Sequence, residues 1–132
     1  MKATIGHITL NVSDEDKSFD FYDLLLTHLG FSINKDLSFE NLKMRSYMQG
    51  EHNIWIRYSR DEEKKTFVRN TGLDHMAFRV NSEEEVDIIH QEIQKLKTKI
   101  TRTPTHYPEY SGNYYAFYFR DYTGIPLEVY CQ

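Results

Sequence analysis

From residue 8 the chain alternates. Ile8, Leu10 and Val12 are apolar, and His7, Thr9 and Asn11 stand between them. Period two predicts a strand with one apolar face and one open face. The same pattern returns at Met76, Phe78 and Val80, with His75, Ala77 and Arg79 between. In both stretches a histidine opens the second face. Helical spacing follows each strand. Phe19, Tyr22, Leu26 and Leu29 form one stripe; Val86, Ile89, Ile93 and Leu96 form another with the same intervals. Ser13 with Asp16, and Ser82 with Glu85, predict the helix starts. Gly30 ends the first helix in the left-handed position. The second has no such glycine, and Lys95 and Lys97 complement its dipole.

Three short strands are predicted after each helix, at 31–34, 42–48 and 53–58, then at 99–102, 114–120 and 125–130. Gly50 sits in one hairpin, and Asp121-Tyr122-Thr123-Gly124 forms the turn of another. The chain therefore reads β-α-β-β-β twice. A helix cannot bury its stripe alone, so each covers one face of its own sheet. The expected fold is α+β: two tandem βαβββ modules whose curved mixed sheets surround a half-barrel cavity, with the helices outside. Module one spans 1–60, a charged, solvated linker 61–71, and module two 72–132.

Composition then narrows the partners. A net charge of −4 with no concentrated basic face argues against nucleic acid. No apolar run approaches the length of a membrane span, and the first residues carry no signal-peptide core. A single cysteine, Cys131, fits a reducing compartment, so cytoplasm is expected. Aromatic residues reach 14%, with ten Tyr, and an apolar ring with a polar tip suits a lined cavity as well as a core.

The open face predicts a group of chemical residues. His7 and His75 hold equivalent places. Glu128, flanked by Leu127 and Val129, matches Trp55, flanked by Ile54 and Ile56. Tyr114, Ala116 and Tyr118 join them, while Phe117 and Phe119 face the helix. Two imidazoles and a carboxylate from different strands make a facial site for Mn, Fe, Ni, Co or Zn with open coordination positions. A plainer arrangement uses the same residues: histidines bonded to backbone or water, and Glu128 paired with Arg57 or Arg79. The stretch 103–112 predicts a stiffened loop near the cavity mouth, where Tyr107, Tyr110, Glu109 or His106 serve as a lid or move protons. His28 and His90 lie on helices, Cys131 lacks an activating base, and no Gly-rich phosphate loop, HExxH or CxxC occurs.

The duplicated βαβββ order, a histidine opening the first strand of each half, and Glu128 within Gly-Ile-Pro-Leu-Glu-Val-Tyr resemble the vicinal oxygen chelate superfamily. That group includes glyoxalase I, fosfomycin-resistance thiol transferases, extradiol dioxygenases and bleomycin-resistance binding proteins. The resemblance implies a divalent metal on His7, His75 and Glu128. It implies Tyr118 as a catalytic group and Thr9 and Trp55 as substrate-binding ones. Beside it, the loop offers Glu109 as a second catalytic group and Tyr107 and Tyr110 as substrate contacts, and Arg57 and Arg79 are expected to orient an anionic substrate. Trp55 stands where glyoxalase I has a second acidic ligand, and indole cannot replace a carboxylate. Thr9, Trp55 and Tyr118 are similar to residues of the fosfomycin enzymes, and Tyr118 also matches the dioxygenases. The base histidine of the dioxygenases has no counterpart, since His52 falls in a turn. Two functions follow from the resemblance: a metalloenzyme (lyase, thiol transferase or dioxygenase) for a small oxygen-rich substrate, or a metal-free drug-binding protein. A homodimer is the expected assembly, with modules pairing within one chain or swapping between two.

Overall fold

The computed structural model describes all residues, Met1–Gln132. They form two compact units, Met1–Lys65 and Thr66–Gln132, and the boundary falls inside the charged segment 61–71. Each unit is an open four-stranded mixed sheet with one helix against it, so the fold is α+β.

Unit one contains β1 (Ile8–Asn11), α1 (Glu15–His28), β2 (Ser32–Ser38), β3 (Leu42–Gln49) and β4 (His52–Ser59), with sheet order β1-β4-β3-β2. β1 runs parallel to β4, and the other pairs are antiparallel. The helix start differs from the Ser13–Asp16 expectation. Asp14 is the cap, and its carboxylate accepts from the Lys17 N–H at 2.8 Å, satisfying a donor that has no partner within the helix. Leu29 is only half-buried because it is already the C-cap. Gly30 follows at φ +85°, and a Cβ there would lie 2.7 Å from Gln49 Nε2. Phe31 N–H closes the helix end by donating to Leu26 O at 2.8 Å. The covered face buries Phe19, Phe21, Tyr22, Leu25 and Leu26 with Tyr47, Ile54 and Ile56. Asp23 ties the layers, accepting from Arg45 and from the Tyr47 hydroxyl, each at 2.6 Å. The predicted strand 31–34 runs on to Ser38 because β3 pairs with it that far.

Unit two contains β5 (Met76–Arg79), α2 (Glu83–Lys95), β6 (Ile100–His106), β7 (Tyr115–Arg120) and β8 (Pro126–Cys131), ordered β5-β8-β7-β6. Ser82 caps α2 as its sequence predicts. Its Oγ accepts from Glu85 N–H at 3.2 Å, and Glu85 Oε2 accepts from Asn81 N–H at 2.7 Å. At the other end Lys97 takes the left-handed position usually given to glycine, with φ +55°. Phe117, Phe119, Leu127 and Val129 are buried together with Val86, Ile89 and Ile93 of the helix. Each such side chain contributes about 1.5–3 kcal/mol through burial. The stretch from Thr103 to His106, expected as loop, belongs to β6 instead. Pro104 is tolerated there because β6 is an edge strand, on which a missing N–H costs no ladder bond.

Candidate active site

Sheet register fixes which side chains of unit two share the open face. Ala77 pairs with Glu128, Glu128 with Tyr118, and Tyr118 with Arg102. One row across four strands thus carries a methyl, a carboxylate, a phenol and a guanidinium, in that order. The covered face alternates with it, since Phe117 and Phe119 pair with Val129 and Leu127.

His75 precedes β5 and reaches this row. Its Nε2 lies 3.0 Å from Glu128 Oε2, and its Nδ1 lies 2.6 Å from Asp74 Oδ2. Glu128 is 2% exposed, and its other oxygen accepts from the Tyr114 hydroxyl at 2.6 Å. The imidazole is flanked by carboxylates on both nitrogens. A neutral ring has one N–H and can donate to only one of them. The remaining contact sets a nitrogen lone pair against a carboxylate oxygen unless a second proton or a cation lies between. The bond from His75 Nδ1–H, with help from Arg69 at 3.1 Å, holds the Asp74 carboxyl below its usual range. Such an outer carboxylate fixes the tautomer that leaves Nε2 free as a ligand.

Burial and then the bond to Glu128 push the Tyr114 hydroxyl well above its ordinary range; burial and the Glu128 charge do the same to Tyr118. Both remain protonated donors at neutral pH. Tyr107 is buried, stacks on Tyr110 at 5.6 Å and meets Tyr118 edge-on at 5.8 Å. Tyr114 stacks on Tyr130 at 4.8 Å. Tyr107, Tyr110, Tyr118 and His75 border a cavity of about 350 Å³, whose lining also includes Arg69, Arg102 and Arg120. That volume suits a small ligand.

The structure therefore brings together His75, Glu128, Tyr118, Tyr107 and Tyr110 among the predicted residues. Glu109 lies exposed on the turn between Tyr107 and Tyr110, outside the cavity lining. His106 sits on β6 against the Tyr115 ring, 3.7 Å from Glu83. Arg79 donates to Gln132 O at 3.1 Å and does not pair with Glu128. In unit one, Thr9 pairs with Trp55 on the open face, and His7 lies exposed just before β1. Arg57 is held by Glu62 at 2.7 and 3.0 Å and by Asn11 at 3.0 Å, which corrects its suggested pairing with Glu128.

Sequence reasoning left three residues of this site unassigned. Asp74 was readable as the acid beside His75. Tyr114 was placed on the open face but given no role. Arg102 was hidden: simple alternation puts it on the same face as Ile100, which pairs with helix-side Phe119, but a register shift between Ile100 and Arg102 turns it towards Tyr118. Within unit two no third His, Cys, Asp or Glu completes a metal-binding group with His75 and Glu128. As a donor pair the two fit a divalent ion, with nitrogen and oxygen adjacent and the outer atom of each already hydrogen-bonded.

A family model described as Glyoxalase/Bleomycin resistance protein/Dioxygenase superfamily matches residues 4–129. No curated protein matches the chain. Among solved structures, a glyoxylase/bleomycin resistance protein/dioxygenase domain from Frankia sp. EAN1pec is 22% identical with a TM-score of 0.80, covering 99% of this chain and 98% of that one. A putative glyoxalase from Bacillus halodurans is 27% identical with a TM-score of 0.79, covering 99% and 97%. The fosfomycin resistance protein FosX from Listeria monocytogenes, complexed with Mn(II) and a sulfate ion, is 18% identical with a TM-score of 0.71, covering 100% and 94%.

Proposed function

We propose, from the premise that the chain belongs to the Glyoxalase/Bleomycin resistance protein/Dioxygenase superfamily, that it is a metal-dependent enzyme acting on a small oxygen-rich substrate. His75 and Glu128 hold a divalent ion with His7, the residue that occupies the matching place in unit one. The observation that carries this reading is the 3.0 Å contact between His75 Nε2 and Glu128 Oε2, with Asp74 already on Nδ1. A shared cation turns two facing acceptors into two ligands. FosX, a relative in fold, is known with Mn(II).

When bound, such an ion polarises substrate oxygens and stabilises negative charge developing on them. The chain's own residues do the rest. Tyr114 orients the carboxylate of Glu128 and keeps one oxygen occupied. Tyr118, held protonated, donates to a substrate oxygen. Glu109, on the exposed turn between Tyr107 and Tyr110, exchanges a proton with solvent, and the stacked rings of those two tyrosines contact the substrate. Thr9 and Trp55 supply the substrate contacts of unit one.

The test is metal content. Purified without tag or chelator, the protein is expected to carry near-stoichiometric metal by elemental analysis, and to bind added Mn(II) by electron paramagnetic resonance. His75→Ala and His7→Ala are expected to lose both while keeping the wild-type circular dichroism spectrum. Mn(II) uptake by His75→Ala equal to wild type would overturn the assignment.

A second reading has its own support. The wall of Tyr107, Tyr110, Tyr114 and Tyr130 suits a metal-free protein that sequesters a flat ligand by stacking. Wild-type protein that holds no metal and ignores added metal would favour this reading, and Trp55 fluorescence would then serve as the ligand screen.

A further inference from the structure

The cavity of unit two has a sign that the chain as a whole does not. The protein carries a net charge of −4, yet this lining holds three guanidinium groups, from Arg69, Arg102 and Arg120, and one carboxylate, from Asp74. Two of the three are committed inside the unit. Arg69 pairs with Asp74 at 3.1 Å, and Arg120 donates to Gly124 O at 2.7 Å. The Arg102 guanidinium has neither an ion pair nor a hydrogen bond, although register puts it on the same face as Tyr118 and Glu128. The bulge that turns it there interrupts the β6–β7 ladder. Without the bulge its charge would face the helix side, where Phe117 and Phe119 are buried.

From this placement we propose that Arg102 binds the anionic group of the substrate, a carboxylate or a tetrahedral oxyanion. The row then has two recognising ends. Glu128, beside His75, marks the end where substrate oxygens react. Arg102 marks the other end, two strands away, and Tyr118 stands between them. Two inter-strand spacings amount to about 10 Å, so both ends reach one small molecule but not the distant parts of a large one. A planar guanidinium matches a carboxylate or phosphate through two parallel N–H bonds, which fixes orientation as well as charge. The substrate class is therefore a small acid whose oxygen-bearing carbons lie a few bonds from its anionic group. The inference rests on the reading of this face as the active site, but not on the metal.

The test uses chelator-treated full-length protein, so that the anion is probed apart from the ion. Inorganic phosphate and acetate are titrated separately into wild type, Arg102→Gln, Arg102→Lys and Lys2→Gln, and amide NMR shifts of residues in unit two are followed. Lys2→Gln removes the same charge at an exposed place in unit one and controls for net charge. Wild type and Lys2→Gln are expected to bind at least one anion with saturation, and Arg102→Gln to bind it about tenfold more weakly. Arg102→Lys is expected to fall between them. Preference for phosphate assigns a tetrahedral group, and preference for acetate a carboxylate. Equal binding by wild type and Arg102→Gln, or no saturable shift in wild type with either anion, would overturn the proposal. A parallel Mn(II) titration of wild type separates the two ideas. Phosphate binding that depends on Arg102 in a protein that takes up no Mn(II) retains this inference and removes the metal.

Discussion

The two units are built on one frame and carry different chemistry at the same positions. Register aligns Thr9, Trp55, Ser46 and Lys35 of unit one with Ala77, Glu128, Tyr118 and Arg102 of unit two. The apolar neighbours hardly differ: Ile54 and Ile56 flank Trp55, and Leu127 and Val129 flank Glu128, all of them buried against a helix. Burial fixes one face of a strand and leaves the other free to diverge. Unit two used that freedom for a carboxylate and a phenol. Unit one put an indole and a small hydroxyl in their places. The histidines differ in the same way, since Asp74 precedes His75 whereas Gly6 precedes His7.

The sharpest way to break this comparison is to empty the matched positions in turn. Glu128→Ala is expected to abolish Mn(II) uptake, because it removes a carboxylate of the proposed metal site and leaves the Tyr114 hydroxyl without its acceptor. Trp55→Ala is expected to leave Mn(II) affinity within about threefold of wild type, since an indole offers a metal no lone pair. Both affinities are read by electron paramagnetic resonance at one pH. If Trp55→Ala lost the metal as completely as Glu128→Ala, the two rows would not divide the work as their side chains indicate.

A smaller effect is expected from the residue that distinguishes the two histidines. Asp74→Asn keeps an acceptor near His75 Nδ1 but removes the charge that favours the Nδ1–H tautomer. The expected loss is about 10–100-fold in metal affinity, the usual range for an outer-sphere carboxylate. The variant leaves the row itself intact, so thermal stability should hold. Unchanged affinity would mean that His75 is oriented by its contact with Glu128 alone.

How much of this was legible beforehand depends on which force fixed each residue. The strands of the covered faces and both helices were readable because period-two and helical stripes record burial directly, as at Leu127 and Val129 or Val86, Ile89 and Ile93. The pairing of His75 with Glu128 was half readable. Alternation put both on the open face, but the 3.0 Å contact depends on a strand register that no local pattern specifies. Arg102 was not readable, because a single bulge reverses the parity on which alternation depends. The alternative that paired Arg57 with Glu128 fails for a related reason, because Arg57 is bonded elsewhere. Its partner Glu62 lies in the charged segment, where no periodicity signals a contact.

The smallest expected effect tests the covered faces, where each helix ties a strand tyrosine with one aspartate. Tyr47 donates to Asp23 at 2.6 Å in unit one, and Tyr115 donates to Asp87 at 3.0 Å in unit two. Burial first, and then the bond to Asp87, pushes the Tyr115 hydroxyl up to about 12 from its ordinary 10. A phenol whose folded-state value is raised favours the fold while protonated. Its contribution is complete below pH 10 and fades as the pH rises towards 12. Tyr115→Phe removes both the bond and the titration. It should cost about 0.5–1.5 kcal/mol at pH 8, and the gap from wild type should narrow above pH 10. Urea midpoints measured across that range give the comparison. Tyr47, fully buried and raised further by the same causes, should begin to lose its contribution at the same pH but go on losing it after the Tyr115 gap has levelled off, read as Tyr47→Phe. If the two gaps levelled off at the same pH, burial around the two tyrosines would not differ as it does in the structure. If neither closed, both ties would be insensitive to the charge of the phenol, and the helix–strand bonds would contribute packing rather than electrostatics.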